Sequence, residues 1–280
     1  MKPVQFGYHR PATLSEALGL LSELGEEARP LAGGQSLIPL LNMRLAAPAW
    51  LVDLGSVGEL RHLSAAGDQI KVGAMCTLAS LERWPDTAAR NPLLAAILPF
   101  IAHFQIRNRS TLGGNLAHLD PAAELPALAL LLGARIELQT SAETRTVTMD
   151  QFCLGSMTSS LAPAELVTAA TIPWLAGSGW GFAEVSRRRG DFALVGAMAA
   201  VSPDRTTRAV VFGAGAVPQR LPRAESAAAA GDLRGAERCA AEEIKAQDDI
   251  HASAAYRVAV GARLVRRVVT EALDRIDPAA

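Results

Sequence analysis

Apolar positions along the chain repeat with two different periods, and segments of each period alternate. Leu14, Leu18 and Leu21 are spaced as on one face of a helix, and Thr13 with Glu16 forms a capping box ahead of them. Largely apolar runs at residues 50–54 and 165–172 are typical of buried strands. The alternation predicts an α+β protein.

Turn residues between shorter runs predict two hairpins, one at residues 59–72 and one at residues 135–148. Helices are expected at residues 78–83, 91–102 and 122–132, with residues 104–120 as a loop. A glycine- and serine-rich stretch at residues 176–179 predicts a flexible linker. After it come three predicted strands and three helices, the last at residues 253–273 with one apolar side formed by Tyr256, Val260, Leu264 and Val268.

The whole pattern therefore predicts two domains. The first covers residues 1–175, with subdomains at about 1–55 and 56–175, and the second covers residues 176–280.

Composition narrows the function classes. The 280 residues include 27 Lys and Arg against 28 Asp and Glu, and a net charge of -1 disfavours a general nucleic-acid binder. No apolar stretch is long enough to span a membrane, and the N-terminal residues have no apolar signal core, so we expect a cytoplasmic protein. The three cysteines are far apart and no histidine has a partner at i+4, so we expect no metal or iron–sulfur cluster on this chain. Redox chemistry would require an organic cofactor.

A glycine pair follows the residue run Pro30-Leu31-Ala32. Gly33 and Gly34 precede a predicted helix, so the backbone can approach a ligand closely and successive amides can point at one anion. A phosphate group is the kind of anion that such a loop is suited to bind. The alternative is a tight turn in which Ser36 only caps the helix.

A second glycine pair lies about eighty residues later. Gly113 and Gly114 are flanked by Thr111 and Asn115, and Asp120 follows. Asp120 and Glu124 are candidates to accept hydrogen bonds from ribose or ribityl hydroxyls, although Asp120 is also suited to cap a helix at Pro121 and Glu124 to be a solvated helical residue. Two such pairs in one chain favour a cofactor with a diphosphate.

Two other motifs carry less weight. Gly213-Ala214-Gly215 follows a strand, but Pro218 stands where a dinucleotide fingerprint needs its third glycine, so a turn is predicted there. Residues 187–192, with three arginines before Phe192, are either a basic turn or a place where Phe192 covers a planar ring.

In this order the motifs resemble the flavin-binding medium subunit of molybdenum hydroxylases, the family that includes the carbon monoxide dehydrogenase medium subunit and the FAD domain of xanthine dehydrogenase. The resemblance begins at Phe6-Gly7-Tyr8-His9-Arg10-Pro11, includes both glycine loops and residues 120–126, and closes with Asp248-Asp249-Ile250-His251-Ala252-Ser253 and Tyr256-Arg257. It covers nearly the whole chain.

The resemblance implies a two-subdomain FAD-binding domain of the vanillyl-alcohol-oxidase (PCMH) type, then a small α+β domain with an antiparallel sheet and helices. It also implies that FAD is held by the two glycine loops, by polar positions along the cofactor and by an aromatic residue over the isoalloxazine ring. The matching residues, in that order, are Ala32, Gly33, Gly34, Gln35, Ser36, Leu37, Thr111, Gly114, Asn115, Asp120, Glu124 and Phe192. No residue is expected to act as a catalytic base.

The resemblance further implies an electron-transfer subunit of an oxidoreductase. It would work with a small subunit holding [2Fe-2S] clusters and a large subunit holding the molybdenum cofactor. The resemblance leaves open whether two such heterotrimers pair into a dimer. Glu184 departs from the family pattern, because some members carry a basic residue near this position, close to the flavin. Two other functions remain open at this point: a stand-alone FAD-dependent oxidoreductase, and a nucleotide-binding scaffold without redox activity.

Overall fold

The computed structural model describes residues 2–276, and its first segment is a small parallel sheet in the order β1-β3-β2. Leu18 and Leu21 of the first helix pack with Val52 of the middle strand in one buried cluster. The predicted cap is present, because Thr13 Oγ1 accepts a hydrogen bond from the Glu16 amide at 3.2 Å. The elements are β1 (Gly7–His9), α1 (Leu14–Leu24), β2 (Ala28–Leu31), α2 (Leu37–Asn42) and β3 (Trp50–Asp53).

The second segment is a five-stranded antiparallel sheet in the order β4-β5-β10-β6-β7, with helices packed against it. Both predicted hairpins are present, as β4 with β5 and as β6 with β7. The elements are β4 (Leu63–Ala66), β5 (Gln69–Gly73), α3 (Leu78–Arg83), α4 (Pro85–Arg90), α5 (Pro92–Ile97), α6 (Phe104–Arg107), α7 (Leu112–His118), α8 (Glu124–Leu132), β6 (Arg135–Gln139), β7 (Thr144–Thr148), α9 (Met149–Phe152), β8 (Cys153–Gly155), β9 (Thr158–Ser159) and β10 (Leu166–Pro173).

The third segment is a four-stranded antiparallel sheet in chain order, with three helices. One face of this sheet packs on those helices, through residues such as Val195, Val211 and Val265. The other face shares a buried cluster with α8, through Met198 and Phe212. The elements are β11 (Gly179–Ser186), β12 (Ala193–Val201), β13 (Thr207–Phe212), β14 (Gln219–Arg220), α10 (Pro222–Ala229), α11 (Leu233–Glu243) and α12 (Ala254–Asp274).

Several predicted boundaries are wrong for identifiable reasons. The helix expected at residues 91–102 ends at Ile97, because Pro99 has no amide to continue the hydrogen-bond ladder. The expected loop at residues 104–120 contains α6 and α7. The helix expected from residue 122 begins at Glu124, since the Ala122 amide donates to Asp120 Oδ1 at 2.9 Å and forms a turn instead.

The predicted linker is also wrong at its last residue. Gly179 is buried and begins β11, where a Cβ atom would overlap the backbone of Ala272 in α12. The buried face of α12 is rotated from the predicted one, because Arg257 is buried while Tyr256 is exposed. None of the helices within residues 2–276 combines the length and apolar character that a bilayer crossing needs.

Candidate cofactor-binding cleft

A cleft of about 1670 Å³ lies where the three sheets meet. Ordinary small-molecule pockets measure roughly 300–1,000 Å³, so this one has room for a dinucleotide. Most of its wall comes from six stretches of chain, at residues 28–40, 101–124, 156–167, 187–194, 213–216 and 247–257. Both predicted domains therefore contribute to it.

The first glycine loop connects β2 with α2 and lines the cleft. Within residues 2–276, the amides of residues 33–36 donate to no acceptor in the protein. Gly34 has a φ of +75°, a conformation that favours glycine. Ser36 makes no side-chain cap for α2, so capping does not explain its presence. Adjacent free amides in one turn are suited to bind an anion.

The second glycine pair lies inside α7, and its amides have partners in the protein. Gly113 donates to the Ala74 carbonyl at 2.9 Å, and Gly114 donates to Thr111 Oγ1 at 3.1 Å. Asn115, on the same helix, lines the cleft, and its Oδ1 is buried without a hydrogen-bond partner. The orphaned Asn115 oxygen, and not the glycine amides, is therefore the free polar group of this loop.

The two loops support each other directly. A Cβ atom at Gly33 would overlap the carbonyl group of Arg109, just before the second loop. A Cβ atom at Gly114 would lie 3.3 Å from the Ala32 side chain. The missing side chains thus let the loops pack together and place the free amides and Asn115 in one cleft.

Glu124 is the first residue of α8 and lines the cleft with only 6% of its surface exposed. It is not the solvated helical residue that the sequence allowed. Burial, together with the nearby Glu184 and Asp120 carboxylates, raises the pKa of Glu124 to about 8. At neutral pH this side chain is mostly a neutral acid, able to donate a hydrogen bond.

The carboxyl-terminal domain supplies the opposite wall. The turn at residues 213–216 lines the cleft, and the Gly213 amide donates to the Pro121 carbonyl at 2.9 Å. The turn predicted there is present, and its role in the cleft was not predicted. Another part of this wall is the loop at residues 247–251. Arg257 holds this loop by donating hydrogen bonds to the Gln247 carbonyl at 2.6 Å and to the Asp249 carboxylate at 2.7 Å. Arg257 thereby lowers the pKa of Asp249 to about 2.

Phe192 and Glu184 lie on different sides of the β11–β12 turn. Phe192 lines the cleft and is 67% exposed. Its side chain is therefore free to pack on the planar ring of a bound cofactor. Glu184 does not line the cleft; it lines a separate pocket of about 480 Å³ with Phe100 and the three arginines. The expectation that Glu184 lies beside the flavin therefore changes: it lies behind the cleft wall.

All twelve residues expected at the site line this one cleft. Their individual contacts with a cofactor stay predictions. Sequence reasoning gave no role to other lining residues, among them His103, His118 and the stretch at residues 161–166. His118 lies between the expected residues Asn115 and Asp120, but no local signal could have found residues 161–166, because they are distant along the chain from both glycine pairs.

Comparison with known proteins identifies the group to which this architecture belongs. Residues 4–175 match the family described as the FAD binding domain in molybdopterin dehydrogenase. The chain belongs to this family. The resemblance found in the motifs is thereby confirmed, together with FAD as the cofactor and an oxidoreductase subunit as the class of protein.

Two relatives match over nearly their whole length. The nicotine 6-hydroxylase medium subunit of Paenarthrobacter nicotinovorans is 39% identical, over 97% of this chain and 99% of that protein. Subunit alpha of the 6-hydroxypseudooxynicotine dehydrogenase complex from the same organism is 36% identical, over 99% and 98%. A structure of carbon monoxide dehydrogenase from Hydrogenophaga pseudoflava superposes with a TM-score of 0.94 at 32% identity, over 99% of this chain and 100% of that chain. The α+β fold class is confirmed.

The residues present fit FAD. The free amides of residues 33–36 are suited to a diphosphate, and the orphaned Asn115 oxygen is suited to a hydroxyl or amino donor. The neutral Glu124 can remain buried beneath a cofactor without an unpaired charge. Phe192 lines the same cleft as these groups.

Proposed function

We propose that this chain is the FAD-carrying electron-transfer subunit of a molybdenum hydroxylase. It takes electrons from a partner subunit with [2Fe-2S] clusters and passes them to an external acceptor. The observation that carries the proposal is the end-to-end match with separate medium subunits, over 97–99% of this chain and 98–99% of theirs. The cleft with its free amides supports the same function.

Each part of the cleft has one task in this function. FAD, when bound, supplies the one- and two-electron chemistry, and the protein positions and tunes it. The amides of residues 33–36 hold the diphosphate, and Ala32 and Leu37 set the ends of that loop. Asn115 accepts a hydrogen bond from the cofactor, and Asp120 and Glu124 bind along it. Phe192 covers one face of the ring and excludes water from it.

The assembly follows from the same proposal. The partners are a small iron–sulfur subunit and a large subunit with the molybdenum cofactor, and two such heterotrimers form the complete enzyme. Hydroxylation takes place on the large subunit, so this chain needs no catalytic base. We place the complex in the cytoplasm, in line with the three free cysteines of this chain.

The first test is the visible absorption spectrum of the purified chain, with the flavin released and identified. We expect non-covalent FAD at about one per chain, because the cleft holds a single set of free amides. Absence of flavin after incubation with FAD would overturn the proposal. Release of FMN would contradict the proposed role of the glycine loops. These loops are proposed to bind a diphosphate, which FAD has between its flavin and adenylate halves and FMN lacks.

The partner test uses the complex purified from its native source. Two unlike subunits with iron–sulfur and molybdenum content should co-purify with this chain in equal amounts. A flavin-loaded chain that purifies alone and oxidises a small substrate by itself would instead support a stand-alone oxidoreductase.

A further inference from the structure

The turn that carries Phe192 rests on a loop of the other predicted domain. This supporting loop is residues 100–103, between α5 and α6, and the Phe192 turn is residues 187–192, between β11 and β12. Residues 101–103 and residues 190–192 line the same cleft. The way in which the two loops meet therefore shapes one end of the cofactor site.

Two contacts join the Phe192 turn to the supporting loop. Gly190 has a φ of +87°, and a Cβ atom there would lie 3.0 Å from the His103 ring and 3.2 Å from the Ala102 carbonyl oxygen. The guanidinium carbon of Arg189 lies 5.4 Å from the centre of the Phe100 ring, within the range of a cation–π contact. Glycine suits position 190 for two reasons, because it tolerates the positive φ and leaves room for the close approach.

The supporting loop has an unusual backbone that a single side chain holds in place. Ala102 has a φ of +51°, which is uncommon for a residue with a side chain. Such a conformation persists only where the surrounding structure fixes it. Arg107 does so, because its Nη1 donates to the Ala102 carbonyl at 2.9 Å and to the Ile101 carbonyl at 3.3 Å.

Arg107 is in turn tied to the core of the FAD-binding domain. Its side chain is buried, and its Nε donates to the Glu82 carboxylate at 3.0 Å. Glu82 belongs to α3, whose Leu78 and Leu81 are fully buried in that core. Arg107 itself does not line the cleft in the described structure, so it can influence a cofactor only through the supporting loop.

The Phe192 turn is short and internally bonded. The Asp191 amide donates to the Arg188 carbonyl at 3.1 Å, and Ser186 Oγ donates to the same carbonyl at 2.9 Å. Phe192 stands two positions after Gly190 and directly before β12. A turn of this kind, held at Gly190 on one side and by a strand on the other, leaves the Phe192 backbone little freedom.

We propose that the supporting loop sets the position of Phe192 over the flavin ring, and that Arg107 is a positioning residue for electron transfer. This inference rests on the proposed function, in which Phe192 covers one face of the ring. The FAD-binding domain provides the support and the carboxyl-terminal domain provides the cover. Loss of the contact lets the turn move, so that solvent reaches the ring and FAD is held less tightly.

The test measures how well iodide, a soluble quencher of flavin fluorescence, reaches the ring in the full chain saturated with FAD. Phe192→Ala gives the reference value for an uncovered ring. Gly190→Ala should raise iodide quenching toward that value and weaken FAD affinity by about threefold or more, because the cover is no longer ordered in advance. Gly231→Ala is the matched control, since Gly231 has a similar φ of +85° and a Cβ there has no neighbour within 4 Å. It should behave as the parent chain.

Further variants test the contact itself and its support. His103→Ala should raise iodide quenching, and adding Gly190→Ala to it should have a smaller effect than in the parent chain, because the two changes remove one shared contact. Arg107→Lys should also raise quenching, since lysine lacks the planar group that donates to Glu82 and to both carbonyls of the loop. Arg223→Lys, in an exposed pair with Glu242, is its control and should behave as the parent chain.

The results separate this inference from the proposed function. Equal iodide quenching in FAD-loaded Gly190→Ala, Arg107→Lys and their two controls overturns the role of the supporting loop and leaves FAD binding intact. Absence of FAD binding by the parent chain overturns the proposed function itself. If Gly190→Ala or Arg107→Lys fails to fold, His103→Ala decides the matter, because His103 is exposed and its removal leaves the buried core unchanged.

Discussion

At the scale of single residues, the candidate site depends more on main-chain groups than on charged side chains. The amides of residues 33–36 have no partner within residues 2–276, and Glu124, which lines the same cleft, is buried and mostly neutral at pH 7. Binding should therefore be sensitive to the path of the backbone. The position where the backbone path has least room is Gly33, which touches the Arg109 carbonyl group.

Replacing Gly33 with alanine tests this dependence. The added methyl group would overlap a carbonyl group, which is rigid backbone, so the loop must shift. We expect a loss of about 1–3 kcal/mol in the free energy of unfolding, typical of overpacking, and at least a tenfold weaker affinity for FAD. Gly58→Ala is the matched control, because a Cβ there has no neighbour within 4 Å. Equal FAD affinity for the two variants would contradict the role of the loop.

At the scale of elements, local capping signals predicted structure well and short helices escaped detection. Thr13 and Thr77 each cap a helix as expected. The helix α6 has only four residues, and α7, although longer than the correctly predicted α3, contains the glycine pair that disfavours helix. The glycine loops of the site could be predicted because each is a short, contiguous motif in the sequence.

Elements joined only by the fold were beyond sequence reasoning. The buried face of α12 is rotated from the predicted apolar side because Arg257, a charged residue outside that side, is buried. It is buried because three acceptors surround it: the carbonyls of Leu194 and Gln247, and the Asp249 carboxylate. Those acceptors come from β12 and from the loop before α12, and no local pattern links them. The same contacts build one wall of the cleft.

The conservative change Arg257→Lys tests that wall. Lysine keeps the positive charge but lacks the planar guanidinium group with which arginine donates to three acceptors. We expect about 2 kcal/mol lower stability, from lost charge-assisted hydrogen bonds, and weaker FAD binding because the loop at residues 247–251 is released. Arg266→Lys, in a surface pair with Glu237, should change stability by no more than about 0.5 kcal/mol. Urea unfolding measures the change in stability, and titration with FAD measures the change in affinity. Unchanged FAD affinity in Arg257→Lys would show that the loop at residues 247–251 does not contribute to the site.

At the scale of the whole molecule, the two predicted domains share a core and a cleft. Phe212 and Met198 of the carboxyl-terminal sheet lie in the same buried cluster as Leu128 of α8. The Gly213 amide donates a hydrogen bond to the Pro121 carbonyl, which links the two predicted domains. The domain boundary near residue 175 stays a prediction, but the packing indicates that both sides unfold together.

Thermal unfolding measures this coupling. The full chain should show one transition, and FAD at about a hundred times its dissociation constant should add about 2.7 kcal/mol. For a chain of this size that gain corresponds to a rise in Tm of roughly 5–10 °C. The whole transition should move, because residues of both predicted domains line the cleft. Two transitions, of which FAD moves only one, would contradict the shared core.

The helix α8 has a consequence for the making of the protein. Nearly every residue from Glu124 to Leu132 is buried, so this helix has no face suited to water. Part of its cover is β13, which ends eighty residues later at Phe212. At about 5–20 residues per second, a ribosome finishes β13 roughly 4–16 seconds after α8. During that interval the nascent chain carries an uncovered apolar helix, so its safe maturation depends on whatever shields such a segment as it leaves the ribosome.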